Sequence, residues 1–275
     1  MTYRMLATDL DGTLLNREGK VSPRTREAIR RAVEQGKFII LCSGRFPVEG
    51  LADIGKGLGL DFPGNYYIGG NGALLVDAAT LEVVEGNYLS RSSAAELIRQ
   101  AEALPPELQP EEIHICTTKG FYFRDPVDAY YNYIKASGLE VGNFSKDLRE
   151  VRGEIGKMRF VADRPDFAVN FVRAMEPLCP PDALGYIMPP ALGEYVGIHA
   201  QKGYAVGMLA KRLGIPMEEV ICVGDSFNDL SMIESAGLGV AVANAEETVR
   251  QKARLVLTET NQEDAVGKLI ERFLL

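Results

Sequence analysis

Arg4-Met5-Leu6-Ala7-Thr8-Asp9-Leu10-Asp11-Gly12-Thr13-Leu14 stands close to the start of the chain. Arg4–Thr8 reads as a short buried strand, and two carboxylates two positions apart follow it directly. Acidic side chains at the C-terminal end of a strand project into the crevice where open α/β sheets bind ligands. Gly12 permits a sharp turn there, and backbone N–H groups exposed in such a turn suit an anion. A lone Asp-x-Asp more often caps a turn, so the stretch takes its meaning from what surrounds it.

Around it, helical and strand-like patterns alternate. Ser22-Pro23 starts a helix, with Ser22 as the cap and Pro23 at the first helical position. Ala28, Ile29, Ala32 and Val33 give that helix one apolar stripe, and Gly36 stands where it should end. Phe38–Cys42 is a continuous apolar run of the kind that parallel sheets bury on both faces. After residue 200 the same grammar returns. Helices are expected over Gly203–Leu213, Asp229–Ser235 and Asp264–Leu274, with strands over Val220–Val223, Leu238–Val242 and Arg254–Leu257. Such alternation predicts an α/β fold with an open, mostly parallel sheet and helices on both faces.

The middle reads differently. Ser93-x-x-Glu96 has the form of a capping box opening a helix that carries Leu97, Ile98 and Ala101. Glu112–Cys116 and Phe121–Arg124 flank Thr117–Gly120 as a hairpin, and Gly185–Met188 with Glu194–Ile198 make a second. Pro126–Ala136 is a tyrosine-dense helix, Lys157–Ala162 a strand and Asp166–Met175 a helix. Hairpins beside helices predict a separate α+β domain inserted into the parallel one. The expected division is residues 1–87 with 195–275 as one domain and 88–194 as the insert.

Composition narrows the classes of function. With 275 residues, 46% hydrophobic and 25% charged, the chain is ordinary globular protein and not a disordered one. Its longest apolar runs are a few residues, against the roughly 20 that span a bilayer, so no membrane association is expected. A net charge of −8 and a pI near 5.0 argue against a broad nucleic-acid-binding face. The four cysteines are scattered without CxxC or zinc spacing. Buried free thiols, and an N-terminus without the apolar stretch of a signal peptide, lead to the expectation of a reduced, cytoplasmic protein. Oligomeric state has no signature in the sequence.

Three further elements join Asp9 and Asp11. Gly224-Asp225-Ser226-Phe227-Asn228-Asp229 brings two carboxylates and an amide to the end of another buried strand. Ends of parallel strands meet on one edge, so the two acidic clusters converge. Carboxylates packed together repel one another unless a cation sits among them, and hard oxygen ligands point to Mg²⁺ rather than zinc or copper. Ser43-Gly44-Arg45 follows the strand Phe38–Cys42, where a hydroxyl and free amides suit a phosphate oxygen. Lys202-Gly203 opens a helix, a place where the dipole disfavours a cation, so the lysine needs an anionic partner.

Taken together, Asp9–Leu14, Ser43–Arg45, Lys202-Gly203 and Gly224–Asp229 resemble, in order and placement, the four motifs of the haloacid dehalogenase-like superfamily of aspartate-nucleophile phosphatases. The resemblance covers residues 1–75 and about 195–275. The insert resembles the class IIB cap of the Cof-type sub-group, and Gly69-Gly70-Asn71-Gly72-Ala73 resembles a segment that follows the second motif there.

The resemblance implies a Rossmann-like core with an inserted cap and a phosphatase acting on small phosphorylated metabolites, sugar phosphates first among them. It implies Asp9 as the nucleophile that becomes an aspartyl-phosphate, and Asp11 as the acid that protonates the leaving oxygen and then activates water. Mg²⁺ would be held by Asp9, the backbone carbonyl of Asp11 and Asp225, with Asp229 contributing directly or through water. Thr13, Ser43, Gly44, Lys202 and Asn228 would surround the phosphate, Thr13 and Asn228 also supporting the loops. Arg45 and Asn71 are further candidates, and Arg45 could equally be a structural ion pair. A phosphosugar mutase and a non-catalytic sugar-phosphate sensor are the alternatives. His114 and His199 lie far from any Ser or Cys motif, which excludes a hydrolase triad. Gly55-Lys56-Gly57-Leu58-Gly59 lacks nucleotide-loop spacing and reads as a loop or helix end. Lys119, Arg124 and Arg159 in the insert are read as solvated charges, and Tyr130, Tyr131 and Tyr133 as packing.

Overall fold

A computed structural model of the chain describes residues 2–45, 49–124, 129–136, 139–145, 147–188 and 191–275. The first part holds β1 (Met5–Thr8), α1 (Pro23–Glu34), β2 (Phe38–Cys42), α2 (Glu49–Gly57), β3 (Tyr66–Gly69), β4 (Leu74–Asp77) and β5 (Val83–Gly86). The middle holds α3 (Arg91–Ala103), β6 (Glu112–Thr117), β7 (Phe121–Arg124), α4 (Ala129–Ala136), β8 (Val141–Asn143), β9 (Ile155–Val161), α5 (Phe167–Met175), β10 (Ala183–Met188) and β11 (Leu192–Gly197). The last part holds α6 (Lys202–Arg212), β12 (Val220–Gly224), α7 (Leu230–Ser235), β13 (Leu238–Ala241), α8 (Glu247–Lys252), β14 (Leu255–Val256) and α9 (Ala265–Phe273). Two compact units result, Met1–Gly86 with Gln201–Leu275, and Asn87–Ala200.

The first unit is built on a sheet of order β14-β13-β12-β1-β2-β3-β4-β5, parallel from β14 to β3 and antiparallel from β3 to β5. β1 is central and buried throughout. Its side chains alternate between two cores: Leu6 packs with Ile29 of α1 and Leu269 of α9, while Met5 and Ala7 pack with Val206 and Leu209 of α6. This is why the strand sequences are apolar without a period. α1 begins as its sequence requires, with Ser22 Oγ accepting the Thr25 N–H at 3.1 Å and Pro23 at the first position. Gly36 takes a positive φ of 74° just beyond it. α2 ends at Gly57, so the glycines around it mark a helix end.

The second unit has a sheet of order β10-β11-β9-β6-β7-β8, antiparallel except for β7 with β8. α3 and α5 cover one face, where Leu97, Ile98 and Phe171 pack with Ile113, Ile115, Met158 and Phe160. Both expected hairpins form, as β6–β7 and β10–β11. The opposite face carries a buried charge group, in which Glu194 pairs with Lys157 at 3.0 Å and Arg159 at 3.1 Å. Arg159 is therefore not a solvated charge, and Arg124 is paired with Glu102 at 2.7 Å. Part of the expected helix Pro126–Ala136, residues 126–128, lies outside the described residues, as do the side chains of Tyr130 and Tyr133. Tyr131 packs edge-on against Phe123.

The capping box expected at Ser93 is not formed. Leu89 pairs with Ile155, so the chain turns into α3 earlier, and Ser90 is the cap that accepts the Ser93 N–H. Ser93 is buried within the first turn and donates its hydroxyl to Asp182, while Glu96 pairs with Arg99. Among the described residues no helix is long and apolar enough to cross a membrane.

Because Leu6 is fully buried at the centre of the first unit, Leu6→Ala should cost about 2–5 kcal/mol through lost transfer energy and a residual cavity. Urea denaturation of the variant against the wild type checks this.

Candidate active site

β1 lies between β2 and β12, all three parallel, so the residues after their last positions emerge at one edge. Asp9 follows β1, Ser43 follows β2 and Asp225 follows β12. The Asp9 N–H donates to Val223 O at 3.0 Å, which ties the first loop to β12. The chain leaves β1 toward β2 on one side and later returns to β12 on the other, the arrangement that opens a crevice in such sheets.

Lys202 is the first residue of α6 and is fully buried. Its Nζ donates to Asp9 Oδ1 and to Asp229 Oδ1, each at 2.6 Å. Burial works against the ammonium, but the Asp229 and Asp9 carboxylates outweigh it and raise Lys202 above the ordinary lysine range. Asp229 Oδ2 accepts the backbone N–H groups of Asp225 at 2.9 Å and Ser226 at 3.1 Å. A capping box between Ser226 and Asp229 fixes this loop.

Asp9, Asp225 and Asp229 each offer an oxygen within 4.8 Å of the others. Burial pushes the Asp9 carboxyl up to about 7; Lys202 pulls it down, and Asp229 and Asp225 push it further up. Burial raises Asp225 too, with the Thr13 hydroxyl bond opposing and the Asp229 charge adding. One ammonium among three carboxylates leaves an excess of negative charge. The donor set is all oxygen, without His or Cys, and so fits a hard divalent cation. Gly12 is needed for this approach: at φ +86° a Cβ there would stand 2.4 Å from Asp225 Oδ2.

The remaining expected residues fall into two groups. Thr13 donates to Asp225 Oδ1 at 2.8 Å, and Asn228 Nδ2 donates to Asn71 Oδ1 at 3.0 Å. Asn71 holds a positive φ of 59°, is buried, and donates its N–H to Ser43 O at 3.0 Å. Gly44 lies so close that a Cβ would be 2.8 Å from Asn71 Oδ1. The three loops after β2, β3 and β12 are thus stitched together. Asp11 stands apart from the acidic group, its carboxylate more than half exposed and gripped by Arg45.

Three participants were not singled out from sequence. Ser226 donates its hydroxyl to Asp225 Oδ2 at 3.3 Å, Ser231 Oγ accepts the Gly203 N–H at 3.0 Å, and Asn244 Nδ2 donates to Gly12 O at 2.8 Å. Ser226 lies inside the Gly224–Asp229 motif. Asn244 lies three residues beyond the end of β13 and has only that strand-end position as a signal.

Comparison with known proteins assigns the chain to a family. The haloacid dehalogenase-like hydrolase family matches residues 6–270. The candidate phosphatase YxeH of Bacillus subtilis is 32% identical over 278 residues, covering 99% of each chain. The pyridoxal phosphate phosphatase YbhA of Escherichia coli is 28% identical over 290 residues, covering 100% of each. A haloacid dehalogenase-like hydrolase from Bacteroides thetaiotaomicron superposes with a TM-score of 0.78 at 28% identity, over 98% of this chain and 99% of that one. The chain therefore belongs to the haloacid dehalogenase-like hydrolases, as a phosphatase of the Cof type.

Proposed function

We propose that the protein hydrolyses a small phosphorylated metabolite, with sugar phosphates the first class to test, through an aspartyl-phosphate on Asp9 and with Mg²⁺ bound. The observation that carries this reading is the placement of Asp9. Lys202 holds its Oδ1, while Oδ2 has no hydrogen bond among the described residues and the side chain keeps 8% of its surface exposed. A carboxylate so held is a nucleophile with one oxygen directed and the other available. The name of YbhA, a phosphatase of a small phosphate ester, supports the size of substrate.

Each other residue then has a task. Asp9 and Asp225, with the backbone carbonyl of Asp11, would hold the metal. Bound Mg²⁺ would neutralise the carboxylates and the oxygens of the transferring phosphoryl group. Both oxygens of Asp229 are already engaged, so it holds Lys202 and the loop, and it would support the metal directly or through water. Ser43 Oγ accepts the Arg45 N–H at 3.2 Å, which leaves its proton for a phosphoryl oxygen. Lys202 supplies positive charge on the same side. Thr13 orients Asp225, and Asn228 with Asn71 fixes the loops. Asp11 gives its proton to the leaving oxygen as Asp9 attacks, then takes one from the water that releases phosphate. Phosphoryl transfer rests on such positioning and charge neutralisation.

Release of inorganic phosphate from a panel of sugar phosphates and other metabolites tests this reading. Asp9→Asn should abolish Mg²⁺-dependent release while circular dichroism stays that of the wild type; retained turnover would refute the nucleophile. Isomerised sugar phosphate without free phosphate would mean a mutase. Asp225→Asn should raise the Mg²⁺ concentration needed for half-maximal rate, and an unchanged titration would remove it from the ligands.

The Asp9 carboxyl also links metal to pH. Its folded pKa of about 7 lies above the ordinary aspartate value of 3.8. The stability it contributes is therefore present below about 3.8 and lost as pH rises through 7, where the buried group must ionise. A bound cation removes that penalty. The rise in Tm on adding Mg²⁺ to chelator-treated protein should be larger at pH 8 than at pH 5.5, and Asp9→Asn should shrink the difference. Thermal scans at both pH values check this.

A further inference from the structure

Arg45 reaches from the end of β2 to the loop after β1. Its Nε donates to Asp11 Oδ2 at 3.0 Å and its Nη2 to Asp11 Oδ1 at 2.7 Å, a two-pronged grip on one carboxylate. The backbone under that grip is itself fixed: the Arg45 N–H donates to Ser43 Oγ at 3.2 Å, and Arg45 O accepts the Gly70 N–H at 3.0 Å. Ser43 in turn is buried. The fork is thus built onto the loop that carries the phosphate-side hydroxyl.

Asp11 has no such support of its own. Its side chain is 63% exposed, and among the described residues its carboxylate has no other hydrogen-bond partner. It does not share the oxygen cluster of Asp9, Asp225 and Asp229. An exposed aspartate on a turn samples several rotamers, and an ordinary exposed ion pair stabilises a fold very little. A planar fork on a fixed backbone has a different use: it restricts the direction of the carboxylate.

We propose that Arg45 is the positioning residue of Asp11, fixing the place from which its carboxyl makes both proton transfers. This rests on the phosphatase reading above. In the first step a bond forms between Asp9 Oδ2 and phosphorus, the bond from phosphorus to the leaving oxygen breaks, and the Asp11 proton passes to that oxygen. In the second, the oxygen of water bonds to phosphorus, the bond to Asp9 breaks, and a proton of that water returns to Asp11. One carboxyl must meet the leaving oxygen and then the water in nearly the same position, so loss of direction slows both steps. Lysine, a point charge on a flexible stem, cannot reproduce the grip.

The test compares wild type, Arg45→Ala and Arg45→Lys on two substrates with Mg²⁺. One is 4-nitrophenyl phosphate, whose leaving group departs without a proton, and the other is the fastest alkyl phosphate of the panel. For Arg45→Ala a pre-steady-state burst of 4-nitrophenolate should be seen while steady-state kcat falls about 100-fold and KM falls with it, leaving kcat/KM unchanged, because the aspartyl-phosphate accumulates. On the alkyl phosphate, single-turnover and steady-state rates should both fall. Arg45→Lys should recover little, and added guanidinium ion should partly rescue Arg45→Ala. In an Asp11→Asn background Arg45→Ala should cost nothing more, a comparison that also serves if the single variant folds poorly. A rise in KM with kcat intact would overturn the proposal in favour of phosphate binding by Arg45, and unchanged kinetics would overturn it outright. Either result leaves the phosphatase reading standing. If the wild type itself releases no phosphate from any substrate, that reading fails and this inference falls with it.

Discussion

A buried ammonium shared by two carboxylates governs the first unit. Lys202 has no water to solvate it, so it must keep both Asp9 and Asp229 within hydrogen-bond reach. Removing one partner from such a buried set costs about 3–5 kcal/mol, because the remaining charge is left uncompensated. That constraint decides where α6 begins, since only its first residue reaches both carboxylates. It also explains why the loop after β12 curls through a short helical turn, with Asp229 drawn inward by the N–H groups of Asp225 and Ser226. The same contact that steadies the fold keeps Asp9 Oδ1 occupied and leaves its Oδ2 without a hydrogen bond among the described residues.

Around this centre the polar side chains are arranged by what their oxygens already hold. Thr13 and Ser226 donate to opposite oxygens of Asp225, so its carboxylate faces the cluster in one orientation. Asn71 and Asn228 join loops that follow different strands, and Gly44 leaves room for the join. The result is a site whose acidic side is dense and buried, and whose outer carboxylate, Asp11, is directed by a guanidinium.

Most of this was legible where the sequence carried a period or a motif. The apolar runs of β1, β2 and β12 and the Ser22-Pro23 start of α1 are local signals, and the structure places them within a residue or so of expectation. The parallel sheet follows from their alternation with helices. The antiparallel edge β3–β4–β5 was not legible, because strands of four residues are too short to show alternation. Ser93 reads as a cap because three of the four residues 90–93 carry hydroxyls, and the pairing of Leu89 with Ile155 decides among them. In the site, the sequence places Asp9 and Asp11 together, yet beyond the strand end a spacing of two no longer means a shared direction. Asn244 illustrates a deeper limit: a single amide in a loop becomes part of a site only through the backbone it happens to meet.

The order in which the chain is made adds a consequence of the sheet topology. Arg4 and Glu219, which meet beside the β1–β12 pairing, are 215 positions apart. Asp9 is therefore synthesised among the first residues, while Lys202, Asp225 and Asp229, which complete its surroundings, come only in the last third. Closing so long a stretch as an open coil is entropically slow and leaves an apolar strand edge waiting on the nascent chain. Asn87–Ala200, by contrast, is one uninterrupted segment with mostly local pairings. Once folded, it takes 114 residues out of the open coil between β1 and β12. Folding of the insert first would thus shorten the loop that has to close for β1 to pair with β12.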